Sequence, residues 1–254
     1  MLGPRFFWTK ARPFCLLKTG TSPTTTLRNF HASPPSSRPG DDAIGSSSDP
    51  AAAGNGLIYP EAPSTTHHDL ASYIQYAERN GVDQASKTFV GTYYEYTVKA
   101  FLAVFGFHLR RIGGASDCGI DLLGTWSIPS VTQPLRVLLQ CKVTQKPGPN
   151  LVRELEGAFV GAPAGWRGAG TVGFLVTERP ATKGIRDALG RSRWPMGFIS
   201  CSRAGQVEQL LWNRRAEEEG LEGMGVGMRY SQGEDKHKIG LTFKGKHLPL
   251  NGSD

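Results

Sequence analysis

Apolar residues recur along the chain with two different periods, and the change from one period to the other maps the elements. From Ser64 to Asn80, Leu70, Tyr73, Ile74 and Ala77 fall at helical spacing behind a Ser/Thr-rich entry, and Gly81 supplies a stop. Lys87 to Phe105 predicts a second helix, with Tyr94, Val98, Phe101, Leu102 and Phe105 in one stripe and Gly106 at its end. A short strand from Phe107 to Ile112 follows, then a glycine turn, a strand holding Asp121, a proline-bounded loop from Ser127 to Pro134, and a strand holding Gln140 to Lys142. Pro149 to Gly161 reads as a helix, and Thr171 to Thr177 as a buried strand because its Val, Phe and Leu content is continuous. Ala181 to Leu189 reads as a helix and Met196 to Ser202 as a strand, an alternation that implies parallel pairing through a crossover. Gln206 to Glu219, rich in Glu and Arg, is expected to form a helix, and Gly225 to Tyr230 with Ile239 to Lys244 a hairpin. The fold class is therefore α/β, a central mixed β-sheet flanked by helices.

Charge interrupts this pattern in two apolar runs, Gly119-Ile120-Asp121-Leu122-Leu123 and Val137-Leu138-Leu139-Gln140-Cys141-Lys142-Val143. An interior strand excludes Asp and Lys unless they face each other or a metal ion, because an unpaired buried charge is destabilising by several kcal/mol. Alternation along the strand puts Gln140 and Lys142 on one face, with Leu139, Cys141 and Val143 on the other. Plainer readings stand beside this one: Asp121 could close a turn with local backbone bonds, Lys142 could snorkel from an edge strand, and Glu95 could form an i,i+4 surface pair with Lys99. Asp117 reads as shaping the glycine turn, and Arg153 with Glu154 as one solvated helix face.

The residues carrying charge also recur in a particular order. Gly91 and Glu95 form a Gly-x-x-x-Glu helix, followed by Phe105-Gly106-Phe107 and then Gly113-Gly114-Ala115-Ser116-Asp117-Cys118-Gly119-Ile120-Asp121-Leu122. Gln140-Cys141-Lys142 comes nineteen positions after Asp121, and Val152-Arg153-Glu154-Leu155-Glu156-Gly157 follows. This order resembles the PD-(D/E)xK nuclease superfamily, in particular its Mrr-like restriction-endonuclease branch. The resemblance implies a restriction-endonuclease-like fold and a catalytic set of Glu95, Asp121, Gln140 and Lys142. It implies Mg²⁺ (or Mn²⁺) held by Asp121, Gln140 and the backbone carbonyl of Cys141, with Glu95 reaching in from its helix. Lys142 would orient the attacking water and offset negative charge. Gln140 departs from the superfamily's commoner carboxylate, although Gln is usual in the Mrr-like branch. The implied partner is nucleic acid, DNA ahead of RNA, and a homodimer is the arrangement that cutting both strands of a duplex would call for. The alternative is a catalytically inactive nuclease-fold protein that binds nucleic acid or a protein partner.

The N-terminal segment carries a separate signal. Arg5, Lys10, Arg12, Lys18, Arg28 and Arg38 precede Gly40 with no Asp or Glu among them, and Ser and Thr are abundant. That composition reads as a mitochondrial transit peptide over residues 1–37; no apolar stretch follows the charges as a secretory signal would need. Residues 38–63, dominated by Pro, Gly, Ser and Ala, read as a disordered linker, 64–246 as the restriction-endonuclease-like domain and 247–254 as a flexible tail. Including the presequence, the chain resembles the fungal mitochondrial "required for respiratory growth" family, which implies a matrix protein needed for respiration through mitochondrial DNA maintenance.

Composition sets the remaining bounds. Of the net charge of +7, the six basic residues before Gly40 supply all but +1, so the global charge says little about a polyanionic partner. No apolar run approaches the length of a membrane span. Cys15, Cys118, Cys141 and Cys201 show no paired zinc spacing, and Cys141 and Cys201 read as core. The pair His67-His68 is expected on the surface of the first helix.

Overall fold

A computed structural model of the chain describes residues 57–114, 119–229 and 238–249. The apolar runs become six strands, β1 (Phe107–Arg111), β2 (Leu122–Trp126), β3 (Leu135–Lys142), β4 (Thr171–Thr177), β5 (Met196–Cys201) and β6 (Val207–Trp212). They lie side by side in chain order. β1, β2 and β3 pair antiparallel, β3, β4 and β5 pair parallel, and β6 returns antiparallel to β5. The sheet is therefore mixed, and β3 is interior to it. The parallel steps need crossovers, which are supplied by α3 (Pro149–Gly161) and α4 (Lys183–Arg191).

Two apolar layers hold the sheet between helices. On one face Leu122, Trp126, Val137, Leu139, Val172, Phe174 and Val176 pack against Tyr94, Val98 and Leu102 of α2 (Lys87–Leu102). On the other face Leu123, Leu138, Leu175 and Phe198 meet Val152, Leu155 and Phe159 of α3 and Ile185 and Leu189 of α4. The helix stripe at i, i+4 and i+8 thus faces the strand residues of one parity, as the two periods require. α2 starts where the Ser86 hydroxyl accepts the Phe89 N–H at 3.1 Å, and its end turns through Gly106, whose φ of 86° suits a residue without a Cβ. α1 (Leu70–Arg79) packs on α2. A small second sheet, β7 (Met224–Arg229), β8 (Lys238–Phe243) and β9 (Lys246–His247), adds Met224, Ile239 and Leu241 to the first core. Its β7–β8 pair is the expected terminal hairpin.

Some expectations change. Gln206 to Glu219 is not one helix: Val207–Trp212 is strand β6, and helical structure is confined to Arg214–Ala216 and a π-helical stretch over Glu217–Leu221, in which Gly220 leaves helical geometry at φ 139°. Val207 and Leu210 are buried against the first core while Glu208 faces solvent, and the open edge of β5 supplies the hydrogen bonds. Pairing with that edge overrides the Glu/Arg-rich composition, most of whose charge falls after Trp212. His67 lies ahead of α1 and is buried, its Nδ1 sharing a 2.8 Å hydrogen bond with the Tyr96 hydroxyl; His68 is exposed. Packing onto the domain begins by Leu57 and Tyr59, which lie on the α3/α4 core, with the Ile58 carbonyl accepting from Trp166 Nε1 at 2.9 Å. The transit peptide, most of the linker, Asp117, Cys15 and Cys118 fall outside the described residues. Among the described residues no helix is long and apolar enough to cross a membrane.

Glycine is required within β2. Gly124 stands between Leu109 of β1 and Val137 of β3, and a Cβ there would run into the carbonyl oxygen of His108, a backbone atom fixed by the ladder. Gly124→Ala should lower stability by about 3 kcal/mol, as overpacking against an immovable neighbour does. The check is urea denaturation, with a reduced midpoint at an unchanged slope.

Candidate functional site

Asp121 lies one residue ahead of β2, where the ladder to β3 loosens. Its N–H donates to the Leu139 carbonyl at 2.9 Å, and its own carbonyl accepts from both Ile112 and Gly113, each at 2.9 Å. The carboxylate takes over the next rung: Oδ2 accepts the Cys141 N–H at 2.7 Å. A single residue thus ties the end of β1, the start of β2 and the last residues of β3 together, and its carboxyl group lies against the polar end of β3. These are not the local bonds of a turn: the backbone of Asp121 is held by the end of β1 and by β3, and its carboxylate serves the neighbouring strand.

Gln140 follows Leu139, which pairs with Leu122 and whose carbonyl also accepts the Asp121 N–H. It is only 2% exposed, and its Oε1 finds no hydrogen-bond partner among the described residues. A buried amide oxygen left unsatisfied is destabilising by about 1–3 kcal/mol. The amide nitrogen lies against Gly119, where a Cβ would come within 3.1 Å of Nε2 and where φ is 79°. Gly119 is therefore needed twice, for its left-handed backbone and for the space the amide occupies. Two residues further, Lys142 emerges at the mouth of the sheet with its side chain 36% exposed, and its Nζ lies 3.4 Å from Oε2 of Glu154 on α3. β3 is not an edge strand, so the snorkelling expectation fails in its premise. Glu154, read from sequence as a solvated helix face, braces the lysine and is itself met by Asn150 Nδ2 at 3.3 Å.

Glu95 approaches from α2, next to the stripe residue Tyr94. It does not pair with Lys99, whose Nζ donates to the His68 carbonyl at 2.8 Å. Its partner is Arg111 at the end of β1: Nε meets Oε2 at 2.5 Å, with the two side chains 12% and 13% exposed. Arg111 is fixed in turn by the Thr92 hydroxyl at 3.3 Å and by the Tyr96 ring, 5.5 Å from its guanidinium carbon. Gly113 brings the two carboxylates together. A Cβ at this position would lie 3.2 Å from Asp121 Oδ1 and 3.3 Å from Glu95 Oε2, so both acids converge where the glycine leaves room. Burial chiefly, and then Asp121 and Glu95 together, push the Cys141 thiol well up, while Lys142 opposes them. The thiol is half-buried and stays protonated, and the group of Cys141 that meets Asp121 is its backbone N–H.

The structure therefore places Glu95, Asp121, Gln140 and Lys142 around the open end of β3. Among the described residues no group of three or more His, Cys, Asp or Glu side chains could hold a metal. A cation here would rest on oxygens of mixed kind, which suits Mg²⁺ or Mn²⁺ and not zinc. The Gln140 Oε1, buried and unsatisfied on the residue preceding Cys141, whose N–H holds the Asp121 carboxylate, fits such an ion. Sequence reasoning passed over Arg111 and Glu154. Arg111 closes a strand immediately before the paired glycines, a position at which a buried cation for Glu95 could have been sought. Arg111→Met would strand the Glu95 carboxylate and should lower stability by about 3 kcal/mol, most of it recovered in the Arg111→Met/Glu95→Met double variant. Urea midpoints of the four proteins in that cycle give the coupling directly.

Residues 86–230 match the family model described as Required for respiratory growth protein 7. Over 166 residues the chain is 31% identical to an uncharacterised mitochondrial protein of Schizosaccharomyces pombe, covering 63% of this chain and 65% of that protein. Over 167 residues it is 24% identical to Required for respiratory growth protein 7, mitochondrial, of Saccharomyces cerevisiae, covering 49% of this chain and 69% of that protein. The chain thus spans just under two thirds of the length of the fission-yeast relative. Both relatives are mitochondrial, and so is this protein. The matched segment contains Glu95, Arg111, Asp121, Gln140, Lys142 and Glu154, and on that match the chain belongs to the Required for respiratory growth protein 7 family.

Proposed function

We propose that this protein is a divalent-metal-dependent phosphodiesterase that cuts nucleic acid, DNA ahead of RNA, in the mitochondrial matrix, and that it serves respiratory growth through upkeep of the mitochondrial genome. The observation that carries the reading is the Gln140 Oε1, buried without a hydrogen-bond partner among the described residues on the strand beside the Asp121 carboxylate. A folding sequence gains nothing from an unsatisfied amide at that depth, whereas an ion-binding sequence does. The restriction-endonuclease-like fold belongs to the same proposal, supported by the mixed sheet and by the placement of the motif residues at the end of β3.

Each residue has work that its surroundings suit. Asp121 and Gln140, with the Cys141 carbonyl, would hold Mg²⁺ or Mn²⁺, which when bound supplies polarisation of the phosphodiester and activation of water. Asp121 is presented by its bond to the Cys141 N–H, which orients one oxygen and leaves the other toward Glu95. Glu95, held by Arg111, orders solvent at the rim. Lys142 offsets charge on the phosphate and positions the attacking water, and its pairing with Glu154 across 3.4 Å is loose enough to be exchanged for a phosphate oxygen. A second reading, a nuclease fold that binds without cutting, is favoured by the neutral Gln140 in place of a carboxylate ligand.

Cleavage of end-labelled DNA and RNA by the purified full chain, with Mg²⁺, Mn²⁺ or EDTA, separates the two. Metal-dependent products are expected, reduced by about 100-fold or more in Asp121→Ala and in Lys142→Ala. Equal product from wild type and both variants would mark a contaminant, and retention of labelled strands without product would favour the binding reading.

A further inference from the structure

A cleft of about 660 Å³ opens beside Lys142 and runs to the N-terminus of α2. Its floor is apolar, made by Val90, Gly91, Tyr94, Cys141 and Val143, and its rim carries Lys87, Lys142 and Arg203. Among the described residues no carboxylate lines it. Two features of α2 are unfavourable for the helix and are explained by an occupant of this cleft. Lys87 is the first residue of α2, whose first turn holds no Asp or Glu, so a cation sits at the positive end of the helix dipole, where an anion would be stabilising. Gly91 lies in the helix interior, where glycine is unfavourable relative to any residue with a Cβ, yet a Cβ at this position would meet nothing within 4 Å. No neighbour in the fold requires that glycine. It keeps the cleft floor low, as Lys87 keeps its rim positive.

We infer that the cleft holds a single strand of nucleic acid and leads it to the candidate site. The inference rests on the phosphodiesterase reading only for what happens at Lys142, which lines both places. A cationic rim beside an apolar floor matches a strand whose phosphates run along the edge and whose unstacked bases lie inward. A duplex presents phosphates outward on both strands and hides its bases, so it has no use for the floor. Arg203 is held at the rim by Glu178, whose Oε2 lies 2.7 Å from its Nε, and its side chain stays half-exposed. DNA and RNA strands share this chemistry, and separate arms of the test distinguish them.

The test is fluorescence anisotropy of labelled oligonucleotides with the full chain in EDTA, where no cleavage is required. Single strands, DNA and RNA in separate arms, should bind more tightly than the duplex of the same sequence, with a salt dependence that marks phosphate contacts. Lys87→Glu should weaken single-strand binding by about 10-fold while melting no earlier than wild type, since an acid in the first turn suits the dipole. Gly91→Leu should also weaken binding at undiminished thermal stability, because it fills the floor and removes a helix glycine. Duplex binding equal to or tighter than single-strand binding, or unaltered affinity in both variants, would overturn the inference. The two proposals fail separately. Strand binding that is sensitive to Lys87→Glu in a protein without nuclease activity leaves the cleft and removes the phosphodiesterase; metal-dependent cleavage of duplex with both variants at wild-type rate does the reverse.

Discussion

The candidate site depends on how Asp121 is fastened. Its amide, its carbonyl and one carboxylate oxygen all bond to chain segments that are remote or separated by the glycine turn: Leu139, Ile112 with Gly113, and Cys141. Those bonds hold the end of β1 against the start of β2 and fix the last residues of β3 beside both. Everything polar in the region follows from that fastening. It sets Gly113 between the Glu95 and Asp121 carboxylates, and it holds the Asp121 carboxylate against Cys141, the residue that follows Gln140. The charge-assisted bond from the Cys141 N–H also stabilises the ionised carboxylate, which a metal-binding role requires.

The charges around this fastening are balanced residue by residue. Two carboxylates that face one point, each within 3.3 Å of where a Gly113 Cβ would lie, repel by a few kcal/mol at an effective dielectric of about 20. Arg111 offsets Glu95 and the Cys141 N–H offsets Asp121, so the pair can coexist ionised. A third carboxylate at position 140, which is 2% exposed, would add both repulsion and desolvation. A neutral amide there avoids both and still presents an oxygen. The commoner acidic residue would bind a cation more tightly once the ion arrived, but it would burden the fold without one. Gln140 shifts that balance toward a scaffold that is stable by itself.

Much of this was legible in the sequence, and the failures have a common cause. The α2 stripe, the buried β4 and the polar pair on β3 are set by local period, because side-chain direction follows from backbone geometry within a few residues. Asp121, Gln140 and Lys142 stood out because charge in an apolar run needs a reason. The partners did not stand out. Glu95 has Lys99 at helical spacing, yet it pairs with Arg111 on a different element, and Lys142 is braced by Glu154 from α3. β6 was misread for the same reason: Val207 and Leu210 are three apart, a spacing a helix would also use, and only the edge of β5 decides between the two. His67 likewise took the Tyr96 hydroxyl as its partner, which no local pattern could announce. In each case the identity of the residue was visible and the identity of its neighbour was a product of tertiary packing.

The two cations of the site differ in a way that assigns their roles. Arg111 and Glu95 are 12% and 13% exposed, and the guanidinium is also met by Thr92 and the Tyr96 ring; removing either partner would leave a charge with little water to solvate it. That pair is structural in its energetics, whatever Glu95 also does at the rim. Lys142 and Glu154 are 36% and 46% exposed at a separation of 3.4 Å, and a pair so placed contributes about 0–1 kcal/mol. On the phosphodiesterase proposal, an ammonium bound that weakly can exchange Glu154 for a phosphate oxygen, and its flexible stem lets it follow the group as charge moves. Arginine at position 142 would reach further into the cleft and hold Glu154 by a fork, making the exchange harder; lysine at position 111 would lose the planar contact with Tyr96. The difference between the two side chains follows from burial, with the enclosed cation holding the frame and the half-exposed one able to change partners.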